Sequence, residues 1–247
     1  MKSATRNMLP TLVIVLSTVM GASAQTSASL PSANDVVARM MQFDSQRQSE
    51  LTGYTATRRY VATNRKRHAE MLVRVTCAGD GSKQFSILSE HGTGSIRKHV
   101  FYKLLNEEAE ASHRDTRNST RLTPENYHFQ LVGQETLETG PAYVLQVAPK
   151  ADNKYLINGK IWVDARDYAI VRIEGQPAKN PSFWVRSVHF VHTYQKVHQF
   201  WFASSTLTTS HILIFGDSEL TIENSEYALS PPTDHSHDRP QEARLSQ

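Results

Sequence analysis

The apolar positions of this chain change their spacing more than once. Between Ser32 and Gly53 they fall at helical intervals, with Val36, Val37, Met40 and Met41 on one side and Arg39, Gln42, Gln46 and Arg47 on the other. Ser32 supplies a capping oxygen, Asp35 lies near the positive end of the helix, and Gly53 stops it. From Tyr54 the period drops to two. Met71, Val73, Val75 and Cys77 alternate with Leu72, Arg74 and Thr76, and Phe85 and Ile87 alternate with Gln84 and Ser86. The stretches 63–67 and 79–82 read as hairpin connections. A second helix opens near Ser95 as its cap. Ile96, Val100 and Leu104 form one ridge and Phe101, Leu105 and Ala109 the next, a stripe wide enough to bury against a sheet. Glu107, Glu108 and Glu110 fall on the wet side, and His113 to Arg121 is polar and reads as a loop.

Period two then returns and persists. The apolar sets are Tyr127/Phe129/Leu131, Tyr143/Leu145/Val147, Ile161/Val163, Ala169/Val171/Ile173, Val188/Phe190, Phe200/Phe202, Ile212/Ile214 and Leu220/Ile222. Turn residues separate them, among them Gly140-Pro141, Asn158-Gly159, Asp164 to Asp167 and Gly216-Asp217. Short strands joined by tight turns predict an antiparallel meander, so the fold class is mainly β with two or more helices (α+β). A single sheet of about eleven strands curls, because twist accumulates across it. Its concave side is expected to be apolar and walled by Val73, Val75, Phe85, Ile87, Phe129, Leu131, Leu145, Val147, Ile173, Leu220 and Ile222. Such a surface suits a ligand with long apolar chains. It equally suits a plain core that the helices fill, and the pattern leaves both open.

The ends of the chain differ from its middle. Lys2 and Arg6 precede a short apolar run from Leu9 to Met20, and Ala22-Ser23-Ala24 supplies a small-x-small cleavage signal. Residues 1–24 are therefore expected to be a signal peptide, 25–229 the folded domain and 230–247 a disordered, His-containing tail. The apolar run is too short for a spanning helix, so the product is expected to be soluble after export. Removal of Lys2 and Arg6 leaves 25 basic residues against 24 acidic ones. That balance argues against nucleic acid as a partner.

Chemical motifs are scarce. There is no Gly-x-Ser-x-Gly and no His-Glu-x-x-His. Asp164 and Asp167 sit in a turn, where Asp usually bonds local backbone. His189 and His192 are three apart on a strand and face opposite ways. Cys77 is the single cysteine, on an alternating strand, and reads as a buried inert thiol. The expectation is no enzyme, no metal and no cofactor. Arg65, Lys66 and Arg67 form a basic hairpin tip, read either as a solvated turn or as a contact with an anionic membrane or a partner.

Two segments carry a family resemblance. Gly159-Lys160-Ile161-Trp162-Val163-Asp164 followed by Tyr168 to Gly175 resembles the central hairpin of the outer-membrane lipoprotein-sorting (LolA-like) family. Phe183-Trp184-Val185, Tyr194 to Val197 and the stretch from Gly92 to Leu105, with Ile96-Arg97-Lys98 opening its helix, continue the likeness. It covers roughly Val36 to Tyr227. The resemblance implies an eleven-stranded half-barrel closed by helices, a periplasmic location and acyl chains held in the cavity. The His-containing tail departs from the family. Two functions are carried forward. One is a non-enzymatic periplasmic carrier or chaperone for lipidated protein or lipid, served by an outer- or inner-membrane transport partner. The other is a sensory or protein-interaction module of the same fold, acting in envelope signalling.

Overall fold

Ser32 opens the first helix with a reciprocal cap. Its Oγ accepts from the Asp35 amide at 3.1 Å, while Asp35 Oδ2 accepts from the Ser32 amide at 3.3 Å. The helix, α1, runs Ala33–Glu50 and buries Val36, Val37 and Met40. It ends at Glu50, before Gly53, which instead begins the first strand with φ 136°. The structure is a computed structural model and describes residues 30–112, 114–180, 185–212 and 216–231. The expected signal peptide, the tail beyond 231, and Phe183, Trp184 and Ile214 lie outside the described residues.

Three strands follow: β1 (Gly53–Asn64), β2 (Arg67–Ala78) and β3 (Lys83–Gly92). A helical stretch comes next, with α2 (Gly94–Ile96), a π-helical turn over Arg97–Phe101 and α3 (Tyr102–Ala111) in unbroken succession. Thr93, rather than Ser95, occupies the N-cap position. The polar stretch expected to be a loop contains a further helix, α4 (Arg114–Thr120). Seven more strands follow among the described residues: β4 (Tyr127–Leu137), β5 (Gly140–Pro149), β6 (Ile157–Asp164), β7 (Ile170–Pro177), β8 (Val185–Val197), β9 (Phe200–Ile212) and β10 (Gly216–Leu229).

The strands form one antiparallel sheet in the order β3-β2-β1-β10-β9-β8-β7-β6-β5-β4. There are ten among the described residues, not eleven, because the stretch from Phe200 to Ile212 is a single strand. The sheet is a curved half-barrel that does not close, with β3 and β4 at its edges. The connection through α2, α3 and α4 therefore leaves one edge and returns to the other. Toward the open end of the β6–β7 hairpin Gly159 faces Gly175. A Cβ on Gly159 would lie 2.1 Å from the Glu174 carbonyl oxygen, so only glycine permits this approach of the two strands.

Two apolar clusters occupy the concave side. Val36, Val37 and Met40 of α1 pack on Tyr127, Leu145, Val147, Ile161, Val163, Ile173 and Phe190. Phe101 and Leu105 pack on Tyr60, Ala62, Ala69, Met71 and Val73. Each helix thus covers its own portion of the sheet. On the opposite face Trp162 packs with Ala142, Val144 and Val171, and its indole donates to Glu135 at 2.8 Å.

Candidate functional site

Nine of the eleven expected wall residues divide between the two clusters. Leu145, Val147 and Ile173 are buried beneath α1, with Phe129 and Leu131 partly buried beside them. Val73 is buried beneath the second helical stretch, with Phe85, Leu220 and Ile222 partly buried against it. Val75 is also fully buried. Ile87 is 43% exposed on the edge strand β3, next to exposed Leu88 at a register shift.

The concave surface is less uniformly apolar than the sequence pattern implied. Register pairs Thr206 of β9 with Ile222 and His192, and Thr208 with Leu220 and Phe190. Thr206 and Thr208 therefore share the inward face with those apolar residues. His192 Nδ1 lies 2.7 Å from Thr206 Oγ1, and burial pushes its pKa down to about 4. This ring is neutral at pH 7. His189 faces the other way, 3.5 Å from Glu174.

Polar clasps hold the helices down. Glu108, expected on the wet side of its helix, accepts from Arg58 at 2.5 Å and from Lys83 at 2.7 Å. Arg58 also donates to Asn224 at 2.7 Å and to the Tyr60 hydroxyl at 3.2 Å. Burial opposes the charge on both partners, and the ion pairing outweighs it. The Glu108 pKa falls to about 2, drawn down by Lys83 and Arg58, and the Arg58 pKa rises above its ordinary value. Near the start of the same helical stretch, Glu90 bonds Arg97 at 2.5 Å and the Tyr102 hydroxyl at 2.8 Å.

Helix α1 is clasped to the β6–β7 turn. Arg39 donates to the Tyr168 hydroxyl at 3.1 Å, and Phe43 stacks on the Tyr168 ring at 5.8 Å. Arg47 donates to the Asp167 backbone carbonyl at 2.9 Å. Asp164 uses its carboxylate on the amides of Arg166 and Asp167, at 2.9 and 2.7 Å, which is the structural turn role expected of it.

Beside α1 runs a trough that the sequence did not reveal. Under the first half of the helix a cleft of about 420 Å³ is lined by Val37, Ala38, Met41, Tyr127 and Phe129, with Asn34, Pro124, His128 and Lys150 at its margin. Under the second half a cleft of about 270 Å³ is lined by Met40, Met41, Leu122, Ala169, Ile170, Tyr194 and Trp201, with Asp44, Arg47, Gln48, Arg121 and Thr123. Met41 borders both. Phe129 is the one expected wall residue on this trough.

The other candidates fall elsewhere. Arg65 and Lys66 form the turn between β1 and β2, with Arg67 opening β2, and all three are exposed. A wider groove of about 650 Å³ with polar walls, among them His189, His211 and Asp217, reaches Arg65. Cys77 is buried and unpaired, and burial pushes its thiol pKa up. Among the described residues no group of His, Cys, Asp and Glu is arranged to hold a metal, and no helix is long and apolar enough to cross a membrane.

No family model matches the sequence, and no curated protein matches it. Solved structures do. A DUF1329 family protein from Desulfovibrio piger is 10% identical, with 82% of this chain and 95% of that one covered and a TM-score of 0.43. A domain assigned to outer membrane lipoprotein sorting, from Vibrio parahaemolyticus, is 12% identical over the same shares, with a TM-score of 0.42. A LolA superfamily protein from Nitrosomonas europaea is 9% identical, again over 82% and 95%, with a TM-score of 0.39. Likeness at this level carries no functional argument by itself. Two of these three structures are described as a lipoprotein-sorting domain and a LolA superfamily protein.

Proposed function

We propose that this chain is a non-enzymatic periplasmic carrier or chaperone. In this reading it holds acyl chains of lipidated protein or lipid between the concave sheet and its helices, in the sorting of outer-membrane lipoproteins. The observation that carries the reading is the cover on the concave face. Apolar residues of an open sheet are covered there by α1 and α3, and these helices are tied to the strands by a few polar clasps. A helix can lift from such a surface while the strand pairing beneath it stays intact. Burial of an acyl chain then replaces the helix contacts, at about 0.8 kcal/mol per methylene. The signal pattern over residues 1–24 supports the periplasm. The basic tip Arg65-Lys66-Arg67 suits contact with an anionic membrane face or a transport partner.

Native mass spectrometry of the protein purified from its own envelope tests this. The expected result is a lipid or an acylated peptide travelling with the folded chain, and saturable binding of acylated peptides by the delipidated protein. A folded sample that carries no lipid and binds no acyl chain overturns the reading. A second reading, an interaction module in envelope signalling, is favoured by the open edge strand β3, where exposed Ile87 and Leu88 leave room for a partner's strand. A co-purifying protein in place of lipid would support it.

A further inference from the structure

The trough beside α1 has an unequal distribution of charge. Two carboxylates bear on its second end, Asp44 in the lining and Asp167 beyond it on the far side of Trp201, and each already has its own cation. Asp44 Oδ2 accepts from Arg121 and from Gln48, both at 2.8 Å. Asp167 Oδ2 accepts from Lys196 at 2.5 Å and from the Trp201 indole at 3.0 Å. Arg47 is a third cation at this end. Its hydrogen bond goes to a backbone carbonyl, and among the described residues no carboxylate lies within salt-bridge distance of it. Half-buried, it loses hydration, which lowers its pKa against the partial support of Asp44 and Asp167. Three cations against two anions leave one positive charge at this polar end of the trough. At the first end Lys150 is engaged by the Pro124 carbonyl and faces Glu125, so no comparable excess arises there.

Between the two ends the lining is apolar. Met41 separates the clefts, and a methionine side chain has three rotatable bonds and no polar atom to hold it in place. Turned aside from its packing on the core, it would leave the two clefts continuous along the helix, with a charge at one end.

We propose that this channel binds a long-chain fatty acid, with the carboxylate on Arg47 and the chain running past Met41 toward Val37 and Phe129. The proposal rests on the carrier reading and names a ligand for it. The guanidinium of Arg47 has a planar fork that matches a carboxylate in two-point contact. One excess positive charge at one end of an apolar lining matches a single carboxylate on a single chain, which favours a free fatty acid over a diacyl lipid. Met41 acts as the gate, and α1 need not leave the sheet for the chain to enter.

Displacement of a fluorescent fatty-acid probe by palmitate, octanoate, hexadecanol and a lysophospholipid tests the proposal, on the signal-cleaved protein at neutral pH and low salt. Palmitate should bind best, with affinity rising about fourfold per methylene until the channel is full. Arg47→Gln should weaken palmitate about tenfold or more and leave hexadecanol within about twofold, and Arg47→Lys should restore part of the loss. Met41→Trp should weaken both ligands. Ala38→Phe, at an exposed helical position on the same cleft, does so without touching the core. If palmitate binds but Arg47→Gln and Ala38→Phe bind it unchanged, the chain sits elsewhere. The proposal then fails while the carrier reading survives. Preference for the lysophospholipid without palmitate binding also overturns it. If no acyl ligand binds the folded protein, both fall.

Discussion

Replacing Glu108 by Gln removes one charge from the clasp between α3 and the sheet. Arg58 is 7% exposed and keeps its guanidinium beside Tyr60, Asn224 and Phe85 with no anion to balance it. The drop in the Glu108 pKa from 4.5 to about 2 corresponds to roughly 3 kcal/mol of stability at pH 7. The side chain is 30% exposed, so solvent screening brings the expected loss to about 2 kcal/mol. With a urea slope of about 2 kcal/mol per molar, the midpoint should fall by about 1 M. The pH dependence is a sharper test. A carboxylate whose folded pKa is depressed stabilises fully above its unfolded value and loses that contribution as pH falls toward the folded one. The difference between wild type and Glu108→Gln should therefore be constant above about pH 5 and close between pH 4.5 and 2. Glu107→Gln removes an exposed pair with Lys154 and should cost less than about 0.5 kcal/mol. Equal urea midpoints for wild type and Glu108→Gln at pH 7, or a difference that ignores pH, would refute the clasp.

His192 should give stability the same direction of change in a different window. Its folded pKa near 4 means that stability falls by roughly 2 kcal/mol as pH drops from 6.5 to 4, and His192→Gln should flatten that slope in urea titrations. Gly175→Ala places a Cβ 2.5 Å from the Asn158 carbonyl oxygen and should cost about 2 kcal/mol or more in thermal unfolding, whereas Gly133→Ala, with nothing within 4 Å, should be tolerated. Changing Arg65, Lys66 and Arg67 together to Gln should leave fatty-acid affinity unchanged and weaken sedimentation with anionic vesicles at low salt. Unaltered vesicle binding would assign the tip to the solvated turn.

The local rules were legible in the sequence because they are local. The Ser32–Asp35 cap, the switch to period two and the hairpin turns each depend on residues a few positions apart. What the pattern missed depends on distance along the chain. Glu108 reads as wet because its cations, Arg58 and Lys83, lie 50 and 25 residues away on strands. Phe200/Phe202 and Ile212/Ile214 read as separate apolar sets because hydroxyl residues, Thr206 and Thr208 among them, occupy the positions between them on one long strand. Helix α4 has no apolar stripe to announce it, and its Ser119 and Thr120 hydroxyls bond back to the Thr116 carbonyl. The trough is a property of two elements together. Met40 and Met41 read as core and Arg47 as surface until the chain from Arg121 to Phe129 is laid alongside the helix.

The position of β10 in the sheet has a kinetic side. It pairs with β1, so Arg58 and Asn224, 166 residues apart, meet only when the last strand arrives. Until then β1–β3 and β4–β9 are two partial sheets, and the inner edge of β1 presents unpaired amides and carbonyls. A chain that emerges N-terminus first, from a ribosome or a translocation channel, waits with that edge open through most of its length. Loop closure over such a span makes folding slow, and an exposed strand edge invites pairing with the wrong chain. The same strand that completes the floor beneath α3 thus sets the interval during which the edge of β1 stays open to mispairing.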